Sequence, residues 1–144
     1  DTAPLRRALT ALANRQSLSE TQTAEVFGIV MSGEATPAQI GGLLMGLRTK
    51  GETPDELAGA TQALRAAMVR VDVAQDHLVD TCGTGGGTVS TFNISTVAAF
   101  VAAGAGAVVP KHGNRSYTSR CGSADVLEAL GLRIMLDPAT LVAS

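Results

Sequence analysis

The sequence predicts an α/β protein, with a small helical domain over residues 1–72 and the first part of a parallel-sheet domain over residues 73–144. Two observations carry this prediction. In the front half, apolar residues recur at helical spacing, and in the back half short apolar runs alternate with helical stretches around a glycine-rich loop. Such alternation is typical of strand–helix–strand units with parallel strands. We expect the α/β domain to be incomplete, because the sequence stops just as a helix would begin.

The first two helices are predicted from apolar periodicity and from one cap. Apolar residues at helical spacing place the first helix at about residues 3–14. Ser19 is followed three positions later by Gln22, the spacing of a capping box, in which each side chain bonds the other residue's backbone N–H. The second helix therefore begins after Ser19 and ends at Gly33.

The next two helices have stronger start signals. Each has a Thr N-cap, a Pro at the first helical position, and a Gln or Glu three positions after the Thr. These starts are Thr36-Pro37-Ala38-Gln39 and Thr53-Pro54-Asp55-Glu56. The third helix should end at Gly51, because glycine readily adopts the left-handed conformation that closes a helix. The fourth should run to about Arg70.

The back half is predicted to alternate between strands and helices. In chain order these are an apolar run at 77–79, a helix within 93–106, a buried strand at 107–109, a helix capped by Ser123 and ended by Gly131, a strand at 132–136, and a helix opening at Asp137-Pro138. The loops that follow parallel strands share one edge of the sheet, where open α/β folds bind their ligands.

Composition and charge argue against several classes of function. A net charge of −2 gives no basic field for nucleic acid and no polybasic patch for a membrane surface. No signal-like or membrane-spanning apolar run is present, so we expect a cytoplasmic protein. Cys82 and Cys121 lack metal-binding spacing. We interpret them as small buried hydrophobes in a reducing compartment, with a catalytic thiol as the alternative.

The glycine-rich loop is the main candidate site. Four of the five residues 83–87 are glycine, and seven hydroxyl side chains lie between residues 81 and 96. A glycine loop before a helix lets backbone N–H groups converge on phosphate oxygens, which the helix dipole also favours. Asn93, Ser95 and Thr96 fall in the first helical turn and can add donors or reach a metal-bound water. The alternative is a mobile turn, since the loop matches neither Walker A nor GxGxxG.

A cluster of cations supports anion binding. Residues 81–124 contain Lys111, Arg115 and Arg120 and no acidic residue. Lys111 and Arg115 lie in the segment KHGNR, directly after a predicted strand, so both can face the glycine loop along one edge of the sheet. Taken alone, each would be a solvated surface charge and His112 an ordinary packed histidine. Together with the loop they favour an anion site.

The motifs GTGG, TFNIST, KHGNR and GSAD occur in this order. Their combination resembles anthranilate phosphoribosyltransferase, an enzyme of tryptophan biosynthesis, over about residues 3–136. The resemblance implies a fold of the nucleoside phosphorylase/phosphoribosyltransferase class in which the helical domain forms a homodimer. It also implies the substrates phosphoribosyl pyrophosphate, bound as its magnesium complex, and anthranilate.

The resemblance further implies which residues bind substrate. The predicted substrate-binding residues are Gly83, Gly86, Gly87, Thr91, Asn93, Ile94, Ser95, Thr96, Lys111, His112, Gly113, Asn114, Arg115, Ser119 and Ser123. Among them, Ser95 also matches a magnesium contact, and Asn114 matches a position near the anthranilate carboxylate.

The implied reaction requires charge stabilisation rather than a nucleophilic side chain. Departure of pyrophosphate from the ribose C1 leaves an oxocarbenium-like centre, which the anthranilate amine attacks. Backbone donors, Lys111 and Mg²⁺ would stabilise the leaving group, so no catalytic side chain is predicted. The sequence departs from many family members at Gly87, where they have Asp. The family's acidic metal pair and its anthranilate-binding arginine lie beyond residue 144, so we expect these residues alone to be inactive.

Two alternatives stay open. One is a related enzyme of the same fold, either a pyrimidine nucleoside phosphorylase or a phosphoribosyltransferase with another acceptor, although KHGNR together with TFNIST argues against the phosphorylase. The other is a non-catalytic phosphate-binding or dimerisation module. The short length of the chain favours the module, whereas the dense loop chemistry favours an enzyme.

Overall fold

The chain forms two compact units, Asp1–Val69 and Arg70–Ser144, in a computed structural model. The structure describes residues 1–70, 76–83, 92–115 and 121–136. The first unit is built from four helices: α1 (Ala3–Ala13), α2 (Glu20–Met31), α3 (Pro37–Lys50) and α4 (Pro54–Ala67). The four helices predicted for the front half are therefore confirmed.

The helix starts follow the predicted capping chemistry. Ser19, Thr36 and Thr53 each form a capping box with the residue three positions later. Gly33 and Gly51 follow α2 and α3 with φ of 78° and 91°, in the left-handed region where glycine carries no Cβ penalty. One predicted boundary is wrong: α4 stops at Ala67 rather than near Arg70, because Met68 already has extended backbone, with φ −68° and ψ 145°.

The core of the helical unit is aliphatic. Its buried members are Leu5, Ala8, Leu12, Leu18, Val26, Leu43 and Leu47. At Gly59 the helices α2 and α4 approach so closely that a Cβ there would lie 2.2 Å from the carbonyl oxygen of Glu20 and 2.9 Å from the backbone nitrogen of Ala24. This contact has no room for a side chain, so glycine sets how closely the two helices pack.

Glu56 links the start of α4 to the chain that leads into α2. Its side chain is buried, and its Oε1 accepts a hydrogen bond from the backbone N–H of Leu18 at 2.9 Å. Its Oε2 accepts from the backbone N–H of Thr53 at 2.8 Å and from Lys50 Nζ at 2.9 Å. Burial by itself raises the pKa of Glu56, but the hydrogen bonds from Leu18, Lys50 and Thr53 outweigh it, so the pKa lies below 4.5.

The described part of the second unit contains α5 (Ile94–Gly104) and α6 (Ser123–Ala129). Both match predicted helices, but the predicted cap of α6 is wrong by one residue. Gly122 is the N-cap, since the Asp125 carboxylate accepts from its backbone N–H at 2.8 Å, and Ser123 is the first helical residue. No helix within the described ranges has the length and apolarity needed to cross a membrane.

Within the described residues, the predicted strands are represented by one parallel bridge. Leu78 pairs with Val108, and the backbone N–H of Val79 donates to the carbonyl oxygen of Val108 at 3.0 Å. The strand predicted at 132–136 is wrong, because these residues have no regular structure and find no ladder partner within the described ranges. The helix predicted to open at Asp137-Pro138 lies outside the described residues. The parallel direction of the bridge agrees with the predicted βαβ arrangement.

Candidate anion-binding site

Thr81 joins three parts of the second unit. Its Oγ1 donates a hydrogen bond to the carbonyl oxygen of Ser95 in the first turn of α5, at 2.7 Å. Its own carbonyl oxygen accepts from Lys111 Nζ, and that ammonium also donates to the carbonyl oxygen of His112 at 2.6 Å. The segment 80–83, the start of α5 and the KHGNR segment therefore lie together, as their positions after predicted strands suggest.

Asp80 fixes the second residue of the KHGNR segment. Its Oδ1 accepts a hydrogen bond from the backbone N–H of His112 at 3.1 Å, and its Oδ2 lies 3.7 Å from His112 Nδ1. Both side chains are exposed. This pair holds the backbone of the segment beside Thr81, so the position of Lys111 is fixed by contacts on both sides.

The beginning of α6 closes one side of the site. A Cβ on Gly113 would lie 2.9 Å from Ser123 Cβ, so only glycine allows this contact. The carbonyl oxygen of Asn114 accepts from the backbone N–H of Ala124 at 3.2 Å. Asn93, the N-cap of α5, donates through Nδ2 to the carbonyl oxygen of Cys121 at 3.3 Å. Three of the predicted substrate-binding residues thus contact the residues that open α6.

Arg115 does not lie against the segment 80–83. Its guanidinium donates to Asp125 Oδ1 at 3.1 Å and to both carboxylate oxygens of Glu128, at 2.8 and 3.1 Å. The two acids are three positions apart on α6, so they share one face and can hold the planar fork of an arginine. The hydrogen bonds with Glu128 and then Asp125 raise the pKa of Arg115, and Arg115 lowers the pKa of Glu128.

Thr96 carries a buried hydroxyl at the start of α5. The residue is 1% exposed, and its Oγ1 has no hydrogen-bond partner among the residues that the structure describes. Buried hydroxyl groups in proteins nearly always have a partner, since leaving one unsatisfied costs about 1–3 kcal/mol. Within the described residues, this hydroxyl is therefore an unsatisfied polar group in the first turn of α5.

The other predicted site residues are placed as follows. Gly83 is exposed, and no described atom lies within 4 Å of where its Cβ would be; Ile94 is about half exposed and Ser95 is half-buried. Gly86, Gly87, Thr91 and Ser119 lie outside the described residues.

Sequence reasoning missed Asp80 and Thr81 and misjudged the cysteines. Asp80 and Thr81 directly follow the apolar run 77–79, at the carboxyl end of the predicted strand, and this position is the signal that could have found them. Cys82 and Cys121 are both exposed, so their interpretation as buried hydrophobes is wrong. Both lie in loop segments rather than on an apolar face of a helix or strand.

Comparison with known families accounts for both units. The helical bundle domain of a glycosyl transferase family matches residues 6–68, and the a/b domain of the glycosyl transferase family matches residues 75–144. The chain belongs to this family. The predicted fold class, a helical domain followed by an α/β domain, is thereby confirmed.

Individual relatives carry a more specific name. Anthranilate phosphoribosyltransferase from Acidithiobacillus ferrooxidans is 64% identical over 129 residues, which are 90% of this chain and 38% of that protein. The anthranilate phosphoribosyltransferase of Thioalkalivibrio sulfidiphilus is 53% identical over 134 residues, 93% of this chain and 40% of that protein. The resemblance inferred from the four motifs is confirmed.

A solved structure shows the same likeness. The crystal structure of anthranilate phosphoribosyltransferase (TrpD) from Thermus thermophilus matches with a TM-score of 0.78 and 42% identity, over 91% of this chain and 40% of that one. The chain thus spans about two fifths of the length of the glycosyl transferase relatives it matches.

Proposed function

We propose that these residues form the part of an anthranilate phosphoribosyltransferase that binds phosphoribosyl pyrophosphate. The whole enzyme would transfer the phosphoribosyl group to the amine of anthranilate, giving N-(5-phosphoribosyl)anthranilate and pyrophosphate. One observation carries the proposal: Lys111 Nζ lies against Thr81, which also bonds the first turn of α5. A cation and a helix N-terminus thus meet where the glycine-rich loop begins.

The local electrostatics favour a polyphosphate. Among the described residues, Thr81 joins the ammonium of Lys111 to the first turn of α5, where the positive end of the helix dipole lies. An ammonium group has three donors, and Lys111 uses two of them on the carbonyl oxygens of Thr81 and His112. A third donor is left for a phosphate oxygen. Arg115 is paired with Asp125 and Glu128 of α6, so within the described part of this cluster Lys111 is the cation left to meet a phosphate.

The chemistry follows from this charge. As the bond between the ribose C1 and pyrophosphate breaks, negative charge grows on the leaving group. Donors already fixed in place stabilise that charge without reorganising, which lowers the barrier. The carbonyl contacts of Lys111 and the link between Thr81 and Ser95 hold these donors before substrate arrives. The amine of anthranilate then adds to C1 and releases its proton.

Magnesium is proposed to enter with the substrate. Mg²⁺ prefers oxygen ligands and usually keeps several waters while binding phosphates and one or two protein groups. The Ser95 hydroxyl, at the start of α5, is a hard oxygen ligand that fits this role. Bound Mg²⁺ would offset the charge of the pyrophosphate group. Gly87 brings no carboxylate to the loop, so the protein would contribute few ligands there.

The helical unit is proposed to form a homodimer. The protein is also proposed to be cytoplasmic, as a biosynthetic enzyme of this kind would be. Large apolar side chains are exposed on α3 and α4, namely Leu44, Met45, Leu57 and Leu64. Apolar surface left exposed on these two helices is available to be buried against a second copy of the chain. Sedimentation velocity tests the proposal, which predicts a dimer; a monomer at all concentrations would exclude it.

Calorimetry with the chain itself tests the binding proposal. Phosphoribosyl pyrophosphate is titrated in the presence of Mg²⁺, and we expect saturable binding to one site that inorganic pyrophosphate reverses by competition. Ribose 5-phosphate, which lacks the pyrophosphate group, is the matched control and should bind much more weakly. Equal affinity for the two sugars, or no binding of either, would contradict the proposed site. Binding of thymidine with phosphate instead would favour the nucleoside phosphorylase alternative.

A further inference from the structure

We propose that Asp80, Cys82 and His112 form a binding site for a thiophilic divalent cation such as Zn²⁺. One ligand atom from each residue can be chosen so that all three lie within 4.8 Å of one another. They are the only such group among the residues that the structure describes. The inference does not rest on the proposed transferase activity. Of the three residues, only His112 is also among the predicted substrate-binding residues.

The geometry of Asp80 and His112 is already suited to a metal. The backbone N–H of His112 holds Asp80 Oδ1 at 3.1 Å, and this leaves Oδ2 beside His112 Nδ1 at 3.7 Å. Neighbouring ligand atoms of a tetrahedral zinc site lie about 3.3–3.8 Å apart, given bond lengths of about 2.0–2.3 Å. A hydrogen bond that orients a ligating carboxylate is also typical of metal sites. Two of the three ligands are therefore near their required separation.

Cys82 completes the set with a small movement. The three ligand atoms lie within 4.8 Å of one another, roughly 1 Å more than the spacing of ligand atoms in a tetrahedral zinc site. All three residues are exposed, so rotation of the Cys82 side chain can close this difference. On binding, the metal displaces the thiol proton, which passes to solvent, and a metal–sulfur bond forms. The thiolate of Cys82 and the carboxylate of Asp80 together offset the two charges of the cation. A water molecule can occupy the fourth position, as in open zinc sites.

The donor set selects the kind of metal. Thiolate and imidazole ligands favour Zn²⁺ and Co²⁺, whereas Mg²⁺ prefers oxygen ligands alone. The site is thus distinct in chemistry from the magnesium proposed at Ser95. Cys82 directly precedes Gly83, so an occupied site would clamp the beginning of the glycine-rich loop to the KHGNR segment.

Cobalt titration tests the site directly. The full chain, reduced and stripped of metal with a chelator, is titrated with Co²⁺ while the thiolate-to-cobalt charge-transfer absorption is followed. We expect one Co²⁺ per chain, displaced by Zn²⁺ but not by excess Mg²⁺. Cys82→Ser should remove the charge-transfer band, and His112→Ala should weaken Co²⁺ binding about tenfold or more. Cys121→Ser, which changes the other exposed cysteine, is the matched control and should keep both band and affinity.

Several results would overturn the inference. They are the absence of a thiolate band in the unmodified chain, a band that persists in Cys82→Ser, and a band lost in Cys121→Ser. Displacement of Co²⁺ by Mg²⁺ in the unmodified chain would also overturn it, and this measurement needs no variant. Circular dichroism of each variant separates a lost site from a lost fold.

Discussion

Lys111→Ala is expected to weaken binding of magnesium phosphoribosyl pyrophosphate about 10- to 150-fold. A hydrogen bond to a charged group contributes roughly 1.5–3 kcal/mol, which corresponds to this range of affinities. Lys111 is the cation that lies against the segment 80–83, where its ammonium contacts the carbonyl oxygen of Thr81. Isothermal titration calorimetry measures the change. The heat of binding should fall as well, because a charge-assisted contact is lost.

Two further variants separate a local contact from general electrostatics. Arg133→Ala removes the same charge from an exposed position in the same unit and should leave the affinity nearly unchanged. Lys111→Gln keeps a donor for the carbonyl oxygens without the charge, so it should preserve the local structure yet still bind weakly. If Lys111→Ala and Arg133→Ala weakened binding equally, the placement of Lys111 in the anion site would be wrong.

Glu56→Ala is expected to lower the free energy of unfolding of the helical unit by about 3–5 kcal/mol. Breaking a buried ion pair by removing one partner leaves the other charge uncompensated, which accounts for an effect of this size. Here the side chain of Lys50 is 7% exposed, and its ammonium would lose its carboxylate partner. The backbone N–H groups of Leu18 and Thr53 would lose their acceptor too. Urea unfolding followed by circular dichroism checks the loss.

The same carboxylate should make stability depend on pH. The folded pKa of Glu56 is lowered from 4.5, so its contribution is fully present above about that pH and disappears as the pH falls through the lower, folded value. Glu56→Gln keeps the shape without the charge and should flatten this acid loss. Glu25→Gln, at an exposed position of α2, is the control and should leave the pH profile as in the unmodified chain. An unchanged acid profile in Glu56→Gln would contradict the role given to the buried carboxylate.

Features that depend on neighbouring residues could be predicted from the sequence. The capping boxes at Ser19, Thr36 and Thr53 involve partners only three positions away, and all three form. The capping pattern could not predict the hydrogen bond from the backbone N–H of Leu18 to Glu56, because the two residues are 38 positions apart. Strands depend on distant partners as well. In the part of the chain that the structure describes, the predicted pairing of parallel strands is seen only as the bridge between Leu78 and Val108.

The candidate site was likewise predicted in part from the sequence and in part visible only in the structure. The position of the KHGNR segment after a predicted parallel strand placed it beside the glycine-rich loop, and Lys111 lies against Thr81, close to the start of that loop. Their position after a predicted strand did not distinguish Lys111 from Arg115, and it was the family resemblance that gave the role to Lys111. Only the structure shows that the acids of α6 hold Arg115. The contact between Asp80 and His112 spans 32 positions and has no local signature, so it too became visible only in the fold.

Turnover in a chimera tests the central claim most directly. This chain replaces the matching segment of the anthranilate phosphoribosyltransferase of Acidithiobacillus ferrooxidans, with which it shares 64% identity over 129 residues. The chimera is mixed with phosphoribosyl pyrophosphate, Mg²⁺ and anthranilate, and the fluorescence of anthranilate is followed. We expect that fluorescence to fall at a rate near that of the parent enzyme, and only when phosphoribosyl pyrophosphate is present. A folded chimera that leaves anthranilate unconsumed while the parent consumes it would contradict the proposed function.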